Sequence, residues 1–408
     1  MKCRFCGNEI KDVVLDLVNA PPSNAYLREE QLNEPETFYP LKIMVCKHCW
    51  LVQVDEYASS ADIFDDDYLY FSSYSTSWVE HARKYVDMIT DRLSLSKKSH
   101  VMEIASNDGY LLQFFVKRGI PCVGVEPSTS TIPAAKEKGV ESIPEFFGEK
   151  LADQIITERE KQDLIIGNNV LAHVPDINDF VEGLKIVLST SGTITMEFPH
   201  LLNLLRLNQF DTIYHEHYSY LSLGSVQRVF AAHDLTIYDV DELPTHGGSL
   251  RIYACHDNAG FSVAKSVSDI LEIEHKFGLE TLNAYSNFQE RVEKIRLDFL
   301  SFLLQAQKEG KTVAGYGAAA KGNTLLNYCG VKGKEMIKVV ADASPHKQGR
   351  FLPGSHIPVV SPEKIKELKP DYLIIFPWNL KEEIMQQNAF IRAWGGKFVT
   401  AIPELEIQ

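Results

Sequence analysis

Two C-x-x-C pairs stand within the first fifty residues of this chain, Cys3 with Cys6 and Cys46 with Cys49. Each pair spans one edge of a tetrahedron, and the loop between them brings the edges together. The spacing therefore predicts one zinc ion held by four thiolates. Both pairs sit in knuckle-like turns, C-R-F-C-G-N and C-K-H-C-W-L. Two disulfides or a redox pair are the alternatives. A closed four-cysteine site has no position for a substrate, so this zinc staples a lobe and performs no chemistry. Cys122, Cys255 and Cys329 are scattered singly, and the odd total of seven fits a reducing cytoplasm.

A chain of 408 residues is too long for one core, so two or three domains are expected. The formal net charge of -14 disfavours nonspecific nucleic-acid binding but allows a local basic pocket for a phosphate. The start, Met1-Lys2-Cys3-Arg4, lacks the apolar run of a signal peptide. No stretch approaches the roughly 18 unbroken apolar residues of a membrane helix. A cytoplasmic enzyme with a small-molecule partner, monomer or homodimer, is the expectation.

Along the chain, strands are predicted at Pro40–Cys46 and Leu51–Val54, and a helix at Val79–Leu93. Then strands and helices alternate: Ser99–Ala105, the turn Ser106-Asn107-Asp108-Gly109, a helix at Tyr110–Arg118, and strands at Cys122–Glu126, Leu164–Asn169 and Gly192–Phe198. Such alternation implies a parallel sheet covered on both faces. One long helical stretch is expected around Ser262–Leu303, then a second alternating unit with strands at Thr312–Tyr316, Ile337–Asp342 and Asp371–Phe376. The fold class is α/β: a zinc lobe over residues 1–75, a Rossmann-like domain over 76–260, and a smaller Rossmann-like domain over 261–408 with its preceding helices.

In such sheets, ligands bind where strand carboxyl ends meet helix N-termini. Glu103 lies near the end of the first strand, Glu126 closes the second, and Asn168 and Asn169 close a later one. An acid at the position of Glu126 suits the ribose hydroxyls of an adenosine, in NAD or in S-adenosylmethionine. Ala105 and Asn107 stand where a pyrophosphate-binding turn would have glycines, which favours a cofactor without phosphate.

The series E-I-A-S-N-D-G-Y, V-G-V-E-P-S and G-N-N-V-L-A-H-V-P-D resembles the class I methyltransferase motifs. With Tyr214-His215-Glu216-His217-Tyr218, Thr245-His246-Gly247-Gly248-Ser249-Leu250-Arg251, Gly315-Tyr316-Gly317-Ala318-Ala319-Ala320-Lys321-Gly322, Lys347-Gln348-Gly349-Arg350 and Pro377-Trp378-Asn379, the whole chain resembles the sugar-nucleotide C-methyltransferases of deoxysugar biosynthesis. The resemblance implies S-adenosylmethionine held by Glu103, Ala105, Ser106, Asn107, Gly109, Glu126, Pro127, Asn168 and Asn169, beside a structural zinc. The substrate it implies is a thymidine- or guanosine-diphosphate-linked 4-keto-6-deoxysugar, methylated at C3 or C5, with C3 preferred.

Phe210–Leu221 packs titratable and phenolic groups densely, F-D-T-I-Y-H-E-H-Y-S-Y-L. H-E-H lacks the H-E-x-x-H spacing of a zinc-binding helix face, which argues against a second metal. By the family's pattern His217 is the base that removes a proton beside the ketone. Glu216 orients it or holds a sugar hydroxyl, and Tyr214 donates to the enolate oxygen. The family places a substrate-contacting histidine at His173, where capping of the next helix is an equal alternative. It also brings Tyr70 from the zinc lobe, with Tyr68 and Tyr74 as alternatives, and makes His246 part of the active-site wall.

The turn Gly315–Gly322 follows a strand and opens a helix, so its amides can receive an anion, with Lys321 adding charge. The resemblance assigns this domain the sugar nucleotide's diphosphate, through Gly317, Lys321 and Asn323, with Asp342 near ribose or base. Two rivals stay open: an NAD-dependent oxidoreductase using this turn, and a noncatalytic zinc module that binds sugar nucleotides.

Overall fold

A computed structural model describes residues 1–57 and 71–408. Three sheets carry these residues. The first is antiparallel: Asp12–Ala20, Tyr39–Val45, Val52–Val54 and, from far along the chain, Ser219–Tyr220. The second has seven strands in the order Leu235–Leu243, Ser249–His256, Leu188–Pro199, Gln162–Asn168, Val101–Ile104, Cys122–Val125, Ser142–Ile143. Its first two strands join antiparallel, and the rest are parallel. The third runs Val359–Val360, Val340–Ala341, Val313–Tyr316, Tyr372–Ile375, Lys397–Thr400, Glu406–Ile407, parallel except at its last pair.

The parallel strands are apolar because helices cover both their faces. All four residues of Val101–Ile104 are buried. The helix Thr76–Arg92 presents Ala82, Tyr85, Val86 and Ile89 inward, at helical spacing, and Ser75 Oγ caps its start by accepting the Trp78 amide at 3.3 Å. From Val101–Ile104 the chain turns to one side for Cys122–Val125 and later to the other for Gln162–Asn168. That reversal opens a crevice at the strand carboxyl ends.

The lobes are not independent. One apolar core runs from Leu41 and Ile43 of the first sheet through Leu205, Phe210 and Phe299 to Val313 and Phe376 of the third. A second joins Cys46, Cys49 and Leu51 to Met102, Ile165 and Phe198 of the central sheet. Arg4 locks the zinc lobe further, donating to the Pro175 carbonyl at 2.6 Å and the Val54 carbonyl at 2.7 Å.

The structure departs from the sequence expectation in several places. The stretch Ser262–Leu303 is two helices, Lys265–Phe277 and Phe288–Lys308, parted at Gly278, whose φ of 90° ends the first. The strand Asp12–Ala20 was not anticipated, because two register shifts break its alternation. The pair Leu235–Leu243 and Ser249–His256 was also missed. A register shift between Ile237 and Asp239 puts two consecutive residues, Ile237 and Tyr238, inside. Among the described residues, no helix is long and apolar enough to cross a membrane.

Candidate active site

The strand Val101–Ile104 ends in a turn of left-handed residues, Ala105 (φ 57°), Asn107 (φ 48°) and Gly109 (φ 73°). At Gly109 a Cβ would press within 3.2 Å of the Ala135 backbone, so helix Ile132–Glu137 requires glycine there. Ala105 accepts the strain that a glycine would avoid. Glu126 organises this turn: its carboxylate accepts the Asn107 amide at 2.8 Å and the Ser128 amide at 2.7 Å. Burial pushes its pKa up and those backbone bonds oppose the rise. Asn107 Oδ1 accepts the Ser72 amide at 2.9 Å.

Above the turn opens a cavity of about 550 Å³. Ala105, Asn107, Glu126, Pro127, Asn168, Asn169, His173, Tyr214, His217, His246 and Lys321 all line it. Six predicted residues, besides Asp342, do not. Glu103 is fully buried beneath the turn, where burial raises its pKa well above the carboxylate range. Ser106 packs against Gly124, and Gly109 against Ala135. Glu216 faces the zinc lobe, accepting the Asn24 side chain at 3.3 Å. Gly317 (φ 85°) is covered by Pro377. Asn323 donates to the Ser23 carbonyl at 2.5 Å. Tyr68 and Tyr70 lie outside the described residues. Tyr74 is half exposed and bonds His346 at 3.0 Å.

His217 is held in one tautomer. Its Nδ1–H donates to the Thr212 carbonyl at 2.8 Å, which leaves Nε2 to accept the Tyr214 hydroxyl at 2.9 Å. Burial first, then the adjacent His173, whose ring centroid is 4.6 Å away, hold its pKa well below the usual imidazole value. Burial likewise depresses His173 and His246 to about 4. The cavity therefore presents neutral imidazoles at neutral pH.

His246 reaches the wall from the turn Thr245–Gly247, with its Nε2 accepting the Asn169 side-chain amide at 3.0 Å. Asn169 Oδ1 is buried without a partner and is an acceptor available to a ligand. The turn is anchored by Glu197, which takes Thr245 Oγ1 at 2.8 Å, His81 at 2.9 Å and Arg251 at 2.5 Å. Those cationic and polar partners hold Glu197 at about 2 against its own burial.

From the segments that follow strands of the third sheet come Lys321, in helix Ala320–Cys329, and Lys347. Lys321 donates to Asn379 Oδ1 at 2.7 Å and lies 4.4 Å from the Trp378 ring centroid. Burial lowers its pKa to about 8. Asp342 does not line the cavity. Its carboxylate accepts the Ala318 amide at 2.7 Å and the Ser344 amide at 2.8 Å, as Glu126 does in its own domain. Asn24, Trp78, Phe146, Lys347 and Asn379 line the cavity without having been singled out. Lys347 and Asn379 stood inside recognised motifs, K-Q-G-R and P-W-N. The other three carried no local signal.

The four N-terminal cysteines converge, with sulfurs all within 4.8 Å of one another and Cys3–Cys49 and Cys6–Cys46 at 3.5 Å. Zinc–sulfur bonds of about 2.3 Å set tetrahedral sulfurs about 3.8 Å apart, so the donors fit the ion. Gln53 and Asn8 each donate to one of these sulfurs at 3.3 Å, as suits thiolates.

Residues 3–64 match a zinc binding domain, 78–240 a methyltransferase domain, and 244–403 the C-methyltransferase C-terminal domain. The chain is 36% identical to C-methyltransferase NovU of Streptomyces niveus over 403 residues, 99% of this chain and 96% of that protein. It is 31% identical over 99 residues to a ubiquinone biosynthesis O-methyltransferase of Bradyrhizobium sp., 24% of this chain and 38% of that one. A solved methyltransferase from Anabaena variabilis aligns over 43% of this chain and 84% of its own, at 15% identity and a TM-score of 0.36. The chain belongs to the C-methyltransferase family. It uses S-adenosylmethionine, and the four cysteines form its structural zinc site.

Proposed function

We propose that this C-methyltransferase acts on a nucleotide-diphosphate-linked 4-keto-6-deoxysugar and methylates C3 through an enolate. One observation carries the reading. A single cavity holds Glu126, the neutral imidazole of His217, and two lysines, Lys321 and Lys347. Glu126, Asn107, Asn168 and Asn169 would hold the cofactor, with Glu126 taking ribose hydroxyls on its remaining lone pairs. Bound S-adenosylmethionine supplies the electrophilic methyl group that a carbon nucleophile takes.

The residues of the chain make that nucleophile. His217 Nε2 receives the proton from the carbon beside the ketone. The Tyr214 hydroxyl occupies Nε2 in the structure. Rotation about its C–O bond turns the O–H toward the substrate's carbonyl oxygen and frees the imidazole lone pair in one motion. The Thr212 carbonyl keeps Nδ1 protonated and the ring aligned. His173, edge-on to His217, excludes water from the reacting face. For the diphosphate, helix Ala320–Cys329 has no side-chain N-cap, so its first-turn amides face an anion together with Lys347. The oxidoreductase alternative fits less well, since Asp342, unlike Glu126, does not line the cavity.

Replacing His217 by Asn tests the mechanism. Methyl transfer and deuterium wash-in from D2O into the ketosugar should both disappear, while S-adenosylmethionine and thymidine diphosphate still bind. Undiminished turnover would remove His217 from the mechanism. Mass spectrometry of ligands released from the purified protein separates adenosylmethionine from NAD.

A further inference from the structure

The two cavity lysines are anchored to different parts of the molecule. Lys347 donates to the Ala318 carbonyl at 2.8 Å and lies 5.2 Å from the Tyr26 ring centroid, against the third sheet and the zinc lobe. Lys321 leans the other way, onto Trp378. The Trp378 indole N–H donates to Asp211 at 2.7 Å, at the start of the strip that carries His217. The far edge of the same ring fills the space where a Cβ on Gly247 would stand, 2.4 Å away, beside His246. Lys321 thus sits where the His217 strip meets the His246 turn, near enough to oppose protonation of both imidazoles.

We infer that Lys321 is an oxyanion-stabilising catalytic residue, placed against the ketone oxygen of the substrate, while Lys347 serves the diphosphate. This rests on the ketosugar reading above. As the C–H bond breaks, its electron pair forms a carbon–carbon double bond and the carbonyl π pair moves onto oxygen. The proton goes to His217 Nε2, and the new negative charge is met by the Lys321 ammonium together with the Tyr214 hydroxyl. A preorganised cation in a half-buried site stabilises the enolate more than the ketone, which is what lowers the barrier.

The test compares Lys321→Met, Lys321→Arg and Lys347→Met in the full-length zinc-loaded enzyme. The probes are thymidine and guanosine diphosphates for binding, and the corresponding 4-keto-6-deoxysugar nucleotides for deuterium wash-in at saturation with S-adenosylhomocysteine present. Lys321→Met should slow wash-in about 100-fold or more and leave diphosphate affinity within about twofold, with Lys321→Arg recovering part of the rate. Lys347→Met should weaken diphosphate binding about tenfold. Wash-in by Lys321→Met within about threefold of the wild type would overturn the assignment, whether or not diphosphate affinity falls. No wash-in by the wild-type enzyme on either ketosugar would instead overturn the ketosugar reading, and this assignment with it.

Discussion

Asn169 and His246 both adopt left-handed backbone, φ 56° and 54°, and their side chains meet at 3.0 Å in the cavity wall. One ends the strand Gln162–Asn168, and the other tops the turn that Glu197 anchors. Asparagine tolerates this conformation better than most residues, and histidine less readily. Each bend is thus held by its surroundings, and the contact joins two strained loops in the cavity wall.

This relationship separates backbone from side-chain effects at position 169. Asn169→Ala loses the amide and adds strain of about 1–2 kcal/mol for a left-handed non-glycine residue, so both melting temperature and kcat should fall. Asn169→Gly relieves the strain, so calorimetry should show stability restored while kcat stays low. Full activity in Asn169→Gly would show that the side chain has no part in the wall.

The pH–rate profile should lack an acid limb near 6.5. The base is competent when neutral, and burial with His173 holds His217 well below 6.5, so activity persists as pH falls through that value. The alkaline side is set by Lys321, lowered to about 8 by burial and faced by Asp211, His217 and His246. It acts as a cation, so kcat should decline as pH rises through about 8. Arginine at this position should move the decline upward.

Acid should also weaken the fold. His173 and His246 titrate at about 4 in the folded chain against 6.5 for an ordinary imidazole. The unfolded chain binds more protons between those values, so stability is complete above 6.5 and falls as pH drops toward 4. Urea melts at stepped pH will show this as a falling midpoint, and a midpoint flat over that window would contradict it.

Trp378→Phe should uncouple the third sheet from the base. The substitution keeps most of the ring but strands the buried Asp211 carboxylate, a loss of about 1–3 kcal/mol. The expected result is lower stability and kcat, with S-adenosylmethionine affinity unchanged by calorimetric titration.

Zinc removal should cost more than the small lobe alone. Metal analysis should find one zinc per chain, and Cys46→Ser or chelation should lower the melting temperature by several degrees. Cys46 and Cys49 share a core with the central sheet, and the same lobe brings Asn24 to the cavity. Affinity for sugar nucleotides should therefore drop along with stability.

Much of this was written locally in the chain. Two C-x-x-C pairs specify four donors for one ion wherever the intervening loop runs, because each pair fixes its own edge of the tetrahedron. Short buried runs such as Val101–Ile104, apolar but for Glu103, and Leu164–Gly167, followed by small-residue turns, specify parallel strands and a crevice at their ends. Register shifts hid Asp12–Ala20 and Leu235–Leu243, since one extra residue destroys the period of two on which strand recognition depends.

The site divides the same way. His217, Glu126 and Lys321 could be named from motifs, but only the tertiary structure sorted neighbours within a motif. It turned Glu216 toward Asn24 and Asn323 toward Ser23, and left Asp342 outside the cavity that Glu126 lines. It also carried Asn24 and Trp78 into a cavity to which no local pattern points. Sequence determines which groups are available and the period that buries one face of a strand or helix. Which lone pairs remain for a ligand depends on hydrogen bonds between residues hundreds of positions apart, and those exist only once the three sheets share their cores.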